Sequence, residues 1–267
     1  MPDTILSWND LTPGVSRHCW IQPAAASGYL NTWCYRCVET AVNQPWDRDV
    51  APRLLHPAEM KVWWCQPSDA ARRRWLRGRL AAKDAVRRVI LKRTREAVAM
   101  GTLAILPGPL GQPRVSGVAR IPPSLHVSVS IAHCGALSAA IAAIAPRGSE
   151  IGLDIASRTD NHEGLAEGGF AASEIALLPE APPWERNRRL LQMWCAKEAA
   201  GKALGTGLHG DPLNFIVVKN DASRNSILVE PRFAMPSDSD ARLPPMSAAV
   251  GGDDTLVFAV ATGERLP

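Results

Sequence analysis

The run WCAKEAAGKALGTGL, from Trp194 to Leu208, most narrows what this chain can fold into. Read as a helix, it places Trp194, Glu198 and Lys202 at i, i+4 and i+8, along one stripe. Gly205 and Gly207 then supply the residues that a left-handed helix cap prefers. In axial order the stripe carries an aromatic ring, a carboxylate and an ammonium. A surface helix has no need of a Trp beside the ion pair, and a core helix excludes the charges. Taken alone, Glu and Lys four apart form the commonest helix-surface pair, contributing only about 0.3–0.5 kcal/mol.

A second segment shifts that balance. In SEIGLDIA, strand alternation sets Ile151, Leu153 and Ile155 on one face and Gly152, Asp154 and Ala156 on the other. A carboxylate at the end of a buried strand is costly unless something cationic satisfies it. One strand carboxylate and one helix carboxylate, from distant parts of the chain, are enough to hold a hydrated Mg²⁺. Lys202 is then placed to neutralise a phosphate, and the expected ligand is a metal-bound anion.

The chain has 267 residues, of which 46% are hydrophobic, enough for one sizeable core or two small lobes. A net charge of +4 favours an acidic partner or a phosphorylated ligand. No run is long and apolar enough to span a bilayer, and MPDTILSWNDLTP lacks signal-peptide order, so a cytoplasmic protein is expected. Cys34 and Cys37 form a CxxC that reads as half a zinc site, a redox pair or packed thiols. Their strand-like surroundings point the two side chains to opposite faces, and no second CxxC or His pair follows at zinc spacing. Reduced, packed thiols are the expectation.

Along the chain, residues 1–28 read as an irregular extension and Tyr29–Val42 as a first strand. LLHPAEMKVWW starts a helix, with Pro57 and Glu59 in its first turn. Asp69 to about Glu96 is the longest helical pattern, striped by Trp75, Leu76, Leu80, Val86, Val89, Ile90 and Leu91. It is also crowded with Arg72, Arg73, Arg74, Arg77, Arg79, Lys83, Arg87 and Arg88. One or two of these are expected to touch a phosphate and the rest to face solvent. A loop containing Pro107, Gly108, Pro109 and Gly111 leads into GQPRV. Strands follow up to His133 and from Leu137 to Ile144, and then IGLDIA, where hairpin pairing could bring His133 and Asp154 together. A polar loop over 157–168 precedes FAASEIALL, a short helix with Ser173 as a possible N-cap. Pro182 and Pro183 introduce the helix of Trp194. LNFIVVK, SILVEP and TLVFAVAT end the chain as three strands, with a Pro- and Asp-rich loop near 235–246. Helices and short strands with close connections make an α+β pattern without a repeating βαβ unit, and no close internal sequence repeat is visible.

GLDIA followed by WCAKEAAGKALGTGL resembles the Sfp-type 4'-phosphopantetheinyl transferases, whose signature is a Gly-hydrophobic-Asp strand and a Trp-x-x-Lys-Glu-x-x-x-Lys helix. Upstream, Gly111–Pro113 resembles the family's Gly-Lys-Pro element, Ser130–Gly135 its Asn-hydrophobic-Ser-His-Ser-Gly element, and RWLRGRLAAK its Arg-rich first helix. The resemblance implies an α+β fold of two similar lobes in a pseudo-twofold arrangement, each a small antiparallel sheet packed with helices. The extension would end at residue 28, the N-terminal lobe would run over 29–150, and the metal and catalytic helix would lie in 151–267. It implies a cytoplasmic, monomeric enzyme, such as serves secondary metabolite biosynthesis. The enzyme would move the phosphopantetheine arm of coenzyme A onto a serine of an apo acyl or peptidyl carrier protein and release 3',5'-ADP. Asp154 and Glu198 would hold Mg²⁺. Lys202 would contact the bridging phosphate, and Glu198 or water would take the serine proton. His133, Arg74, Arg79 and Gln112 would hold coenzyme A phosphates.

This chain departs from the pattern at several positions. Ala156 stands where many members carry a second acid, Gln112 replaces the usual lysine, and Ala132 and Cys134 replace hydroxyl residues beside His133. A thinned site with weaker coenzyme A binding follows. Two other readings are a non-catalytic coenzyme A or carrier-protein binder, against which the retained Asp154, Glu198 and Lys202 argue, and a basic nucleic-acid-binding protein using the Arg-rich helix. No recognisable nucleic-acid module is present.

Overall fold

The computed structural model describes residues 33–39 (backbone), 51–118, 121–160, 162–233 and 243–264. Strand β1 (Trp33–Glu39) is followed by helices α1 (Ala51–Leu54), α2 (Pro57–Trp64) and the long α3 (Asp69–Thr94). A hairpin of β2 (Ala104–Pro107) and β3 (Pro113–Ser116) leads into β4 (Leu125–Cys134), β5 (Leu137–Pro146) and β6 (Ser149–Ser157). Helices α4 (Leu165–Gly169), α5 (Ala172–Ile175) and the second long helix α6 (Pro183–Leu204) follow. The strands β7 (Phe215–Asp221), β8 (Ser226–Pro231), β9 (Met246–Gly252) and β10 (Leu256–Glu264) come last.

The result is a mixed α+β fold of small antiparallel sheets, one ordered β1-β5-β4 and one β6-β10-β9-β8-β7. Strand alternation on β5 explains how they stack. Ala140, Ala142 and Ile144 face the core beneath α3, while Ala139, Ile141 and Ala143 pack with Ile151, Leu153, Ile155 and Val260 of the other sheet. Small residues on β5 let both faces be covered at once. Beyond the second sheet, Ala196, Ala199, Ala200 and Ala203 of α6 pack with Val257, Ala259 and Ala261. The two faces read from SEIGLDIA are therefore real: one meets the first sheet and the other meets α6.

Each long helix is anchored by a buried lysine built into the same network. Lys83 Nζ, with its side chain fully buried, lies 2.5 Å from Glu59 Oε2 and donates to the carbonyls of Leu54, Met100 and Leu103, each at 2.8 Å. Glu59 also accepts the backbone N–H of His56 at 2.8 Å and of Ile105 at 2.9 Å. On α6, Lys197 Nζ lies 2.8 Å from Glu174 Oε1 and donates to Gly169 O at 2.7 Å. Glu174 accepts Ala171 N–H and Val217 N–H, both at 2.8 Å. In each network, a glutamate in the first turn of a short helix joins its own N-cap, a strand backbone and a buried lysine. The duplication absent from the sequence is present in the wiring.

Several expectations are corrected. IGLDIA does not form a hairpin ladder with β5; β6 pairs with β10 and reaches β4 through side chains instead. The loop at Pro107–Gly111 forms the turn of a hairpin whose short strands β2 and β3 were not expected, and β9 is a fourth C-terminal strand that the alanine- and glycine-rich sequence concealed. Ser173 lies inside α5, whose N-cap is Ala171; Glu174, in the first turn, accepts the Ala171 N–H. The polar loop contains α4. On α3, Lys83 is buried, not solvent-facing, because Glu59 and three backbone carbonyls receive its ammonium in the interior. The extension at 1–28 and most of the first strand's flanks lie outside the described residues.

Candidate active site

Helix α6 is buried from Leu191 to Gly205 except at Trp194, Glu198 and Lys202. The stripe expected from spacing is thus the one open face of the helix over its C-terminal part, while its first turn is exposed. Gly152 explains how close β6 comes to it. A Cβ at Gly152 would lie 1.9 Å from the carbonyl oxygen of Ala199, so any side chain there would push the helix away from Asp154. Gly205, at φ 78°, ends the helix in the left-handed conformation and accounts for the turn that follows Lys202.

The result is a tight cluster. Lys202 Nζ donates to Asp154 Oδ1 at 2.6 Å and to the carbonyl of Leu153 at 3.1 Å. Asp154 is 9% exposed, and the Lys202 side chain is 28% exposed. Glu198 stands close enough that its carboxyl is pushed above the usual range, first by burial and then by the charge of Asp154, with Lys202 opposing. Behind them, burial and the same aspartate push the buried Cys195 thiol well up, which keeps it protonated and inert.

Ser128 and Ser130 bring the other half of the site alongside. Ser128 Oγ accepts from Ile151 N–H and Ser130 Oγ from Leu153 N–H, both at 3.0 Å, so two hydroxyls join β4 to β6 where no ladder exists. His133, at the end of β4, has Nδ1 2.7 Å from Ser138 Oγ. Its pKa is lowered to about 4 by burial, then by the positive charges of Arg74, Lys202, Arg77 and Arg79. The imidazole is therefore neutral at neutral pH and is ringed by cations from α3 and α6.

Among those cations, Arg79 stands out. It is 7% exposed, lies 4.6 Å over the Trp75 ring, and its buried Nε and Nη1 have no hydrogen-bond partner among the described residues. Burial lowers its pKa to about 10, with Glu59 opposing, so it stays charged. A buried guanidinium with unused donors suits an anion. Arg74 is exposed and acts on His133 through its charge. Gln112 spends its side-chain oxygen on Leu110 N–H at 2.9 Å, within its own turn. It shares with Lys202, Ser130, Ile151, Gly205 and Gly207 the lining of a cleft of about 250 Å³.

Asp154, Glu198, Lys202, His133 and the α3 arginines thus converge, and Gln112 joins at the far wall of the cleft. Among the described residues, no group of three or more His, Cys, Asp and Glu forms a metal cage, and Ala156 adds no third acid. The donors still fit Mg²⁺. Two desolvated carboxylates that repel each other's charge are relieved by a dication, which completes its shell with water and substrate phosphate. Sequence reading gave no role to Lys197, the lysine inside Trp-x-x-Lys-Glu. Its signal was position: one residue before Glu198, it is turned about 100° from the open stripe and so must enter the interior.

No curated protein matches the chain. The crystal structure of holo-acyl-carrier-protein synthase from Thermotoga maritima aligns at 17% identity over 53% of this chain and 76% of that one, with a TM-score of 0.35, too slight a likeness to carry weight. Residues 150–243, which include β6, the Asp154–Lys202 pair and all of α6, match the model of the 4'-phosphopantetheinyl transferase superfamily.

Proposed function

We propose that this chain is a 4'-phosphopantetheinyl transferase that moves the phosphopantetheine arm of coenzyme A onto a serine of an apo acyl or peptidyl carrier protein. The observation that carries this reading is the meeting of Asp154, Glu198 and Lys202, with Lys202 Nζ 2.6 Å from Asp154. The lobes 29–150 and 151–267 would contribute opposite walls, His133 with Arg74, Arg79 and Gln112 from one and the acids with Lys202 from the other.

In the reaction, the serine Oγ forms a bond to the phosphorus next to pantetheine. The bond from that phosphorus to the bridging oxygen breaks, and 3',5'-ADP leaves with the electron pair. Glu198 or a water beside it would take the serine proton; a carboxylate that also holds a dication is a weakened base, so the water shares this role. Lys202 neutralises charge growing on the bridging oxygen, a contact that strengthens in the transition state. His133, held neutral, donates or accepts a hydrogen bond without adding charge, and Arg79 offers unused N–H groups to a phosphate. Asp154 and Glu198 would hold Mg²⁺, which supplies charge neutralisation to the diphosphate when bound.

The test is to incubate the full chain with coenzyme A, Mg²⁺ and a panel of apo carrier proteins, and to weigh the carriers by mass spectrometry. A gain of one phosphopantetheine arm is expected on at least one carrier. No gain on any of them, with coenzyme A binding intact, would make the chain a non-catalytic binder.

A further inference from the structure

His133 and Ser138 stand directly opposite each other on the β4–β5 ladder. The two strands are joined by the turn Gly135–Ala136, and Gly135, at φ 53°, takes the left-handed conformation that opens it. That turn fixes the register, and with it the cross-strand partner of His133. Alternation turns both side chains toward α3, on the face that also carries Ile131 and Ala140. The sequence neighbours of His133, Ala132 and Cys134, bring no hydroxyl to the ring; Ser138 brings one from the next strand.

Ser138 is fully buried, and its Oγ lies 2.7 Å from His133 Nδ1, its one side-chain hydrogen bond among the described residues. Were Nδ1 the donor, the buried hydroxyl proton would have no acceptor, which is costly. Ser138 therefore donates and Nδ1 accepts. An imidazole whose Nδ1 accepts is neutral and carries its proton on Nε2. The Cε1–Nε2 edge of the ring rests on Gly78 of α3, where a Cβ would lie 2.6 Å from Cε1 and 3.1 Å from Nε2. A glycine inside a helix is less stable than alanine, and this close approach is what it secures. Nε2 makes no hydrogen bond among the described residues, and the ring lies in the field of Arg74, Arg77, Arg79 and Lys202. An N–H there suits a phosphate oxygen drawn in by those cations. In the other tautomer, Nε2 would meet the same oxygen with a lone pair.

We propose that Ser138 is a positioning residue for coenzyme A: its hydroxyl holds His133 in the Nε2–H tautomer, against Gly78, and so presents one N–H to a phosphate oxygen of the substrate. The identity of the ligand rests on the transferase reading above; the tautomer does not. The test uses the full chain with ¹⁵N-labelled histidine rings, His133→Gln assigning the His133 signals. At neutral pH, Nε2 of the native chain is expected to carry the proton, with Nδ1 resonating as an unprotonated, hydrogen-bonded nitrogen. Ser138→Ala, compatible with the alanine-rich β5, should move Nδ1 to the position of an unbonded nitrogen. It should also weaken coenzyme A binding, measured calorimetrically, by about tenfold, the equivalent of one charge-assisted contact. Ser138→Thr should keep the native signal and affinity, while Ser138→Val should match Ser138→Ala, separating the hydroxyl from side-chain volume. In the His133→Gln background, Ser138→Ala should change affinity by no more than about twofold, because the serine acts through the ring. The proposal is overturned by a proton on Nδ1, by unchanged affinity in Ser138→Ala, or by an equal loss in the His133→Gln background. A native chain that binds no coenzyme A overturns this inference and the transferase reading together. Binding that depends on Ser138 without modification of any carrier supports this inference and overturns the transferase activity alone.

Discussion

Asp154 and Lys202 are 48 positions apart in the chain and 2.6 Å apart in space, both largely shielded from water. At that distance either side chain alone is an uncompensated charge, so the pair is sensitive to small changes. Asp154→Asn and Glu198→Gln are expected to lower carrier modification by ~10²–10³-fold with an unchanged circular dichroism spectrum, the size of effect seen when one transition-state contact is removed. Near-normal turnover in either variant would contradict the two-acid site. Lys202→Ala should reduce kcat more than it raises KM, because its contact strengthens as the leaving oxygen gains charge. His133 adds a stability prediction whose sign is fixed by burial. Its pKa falls from 6.5 to about 4 on folding, so below pH 6.5 the unfolded chain binds the extra proton. Stability is therefore complete above pH 6.5 and is lost as pH falls toward 4, by about 2 kcal/mol at pH 5. Urea midpoints at pH 7 and pH 5 should show this loss in the native chain and a smaller one in His133→Gln.

Two long helices carry the site, and each depends on a lysine that never sees solvent. Lys197 is the more consequential because it precedes Glu198 on α6, held by Glu174 and the carbonyl of Gly169. Lys197→Met should destabilise the fold by about 3–5 kcal/mol, since it leaves a buried carboxylate without its cation. Lys197→Met/Glu174→Gln should recover part of that loss, measured by urea denaturation. Equal stability of the single and double variants would show that the ion pair contributes nothing beyond packing. Helix α6 was legible because its period, its introducing prolines and its glycine cap all agree along one stretch of chain. Strand β9 was not: MSAAVGG has no alternation to read, and its neighbours β8 and β10 supply the register. The fate of Lys83 on α3 was equally hidden. A helical pattern shows that Lys83 is basic and sets Arg79 one turn from Trp75, but it cannot show that Glu59 waits opposite Lys83.

Across the whole molecule, the seam of Ser128 and Ser130 decides whether the site exists. These hydroxyls receive the N–H groups of Ile151 and Leu153 and so join the sheet of His133 to the sheet of Asp154. Ser130→Ala should cost about 1–3 kcal/mol by orphaning a buried N–H, and Ser130→Thr should retain most of the stability. Carrier modification should fall in Ser130→Ala more than its loss of folded fraction explains, because the two walls of the cleft lose their register. Activity that tracks the folded fraction alone would assign the serine to stability only. Trp194, Glu198, Lys202 and the faces of SEIGLDIA could be read directly, because helical and strand periods are local properties of a chain. The seam and the twin glutamate–lysine networks could not be read this way. They come from side chains far apart in sequence, and no short-range period records which distant surfaces will be packed together.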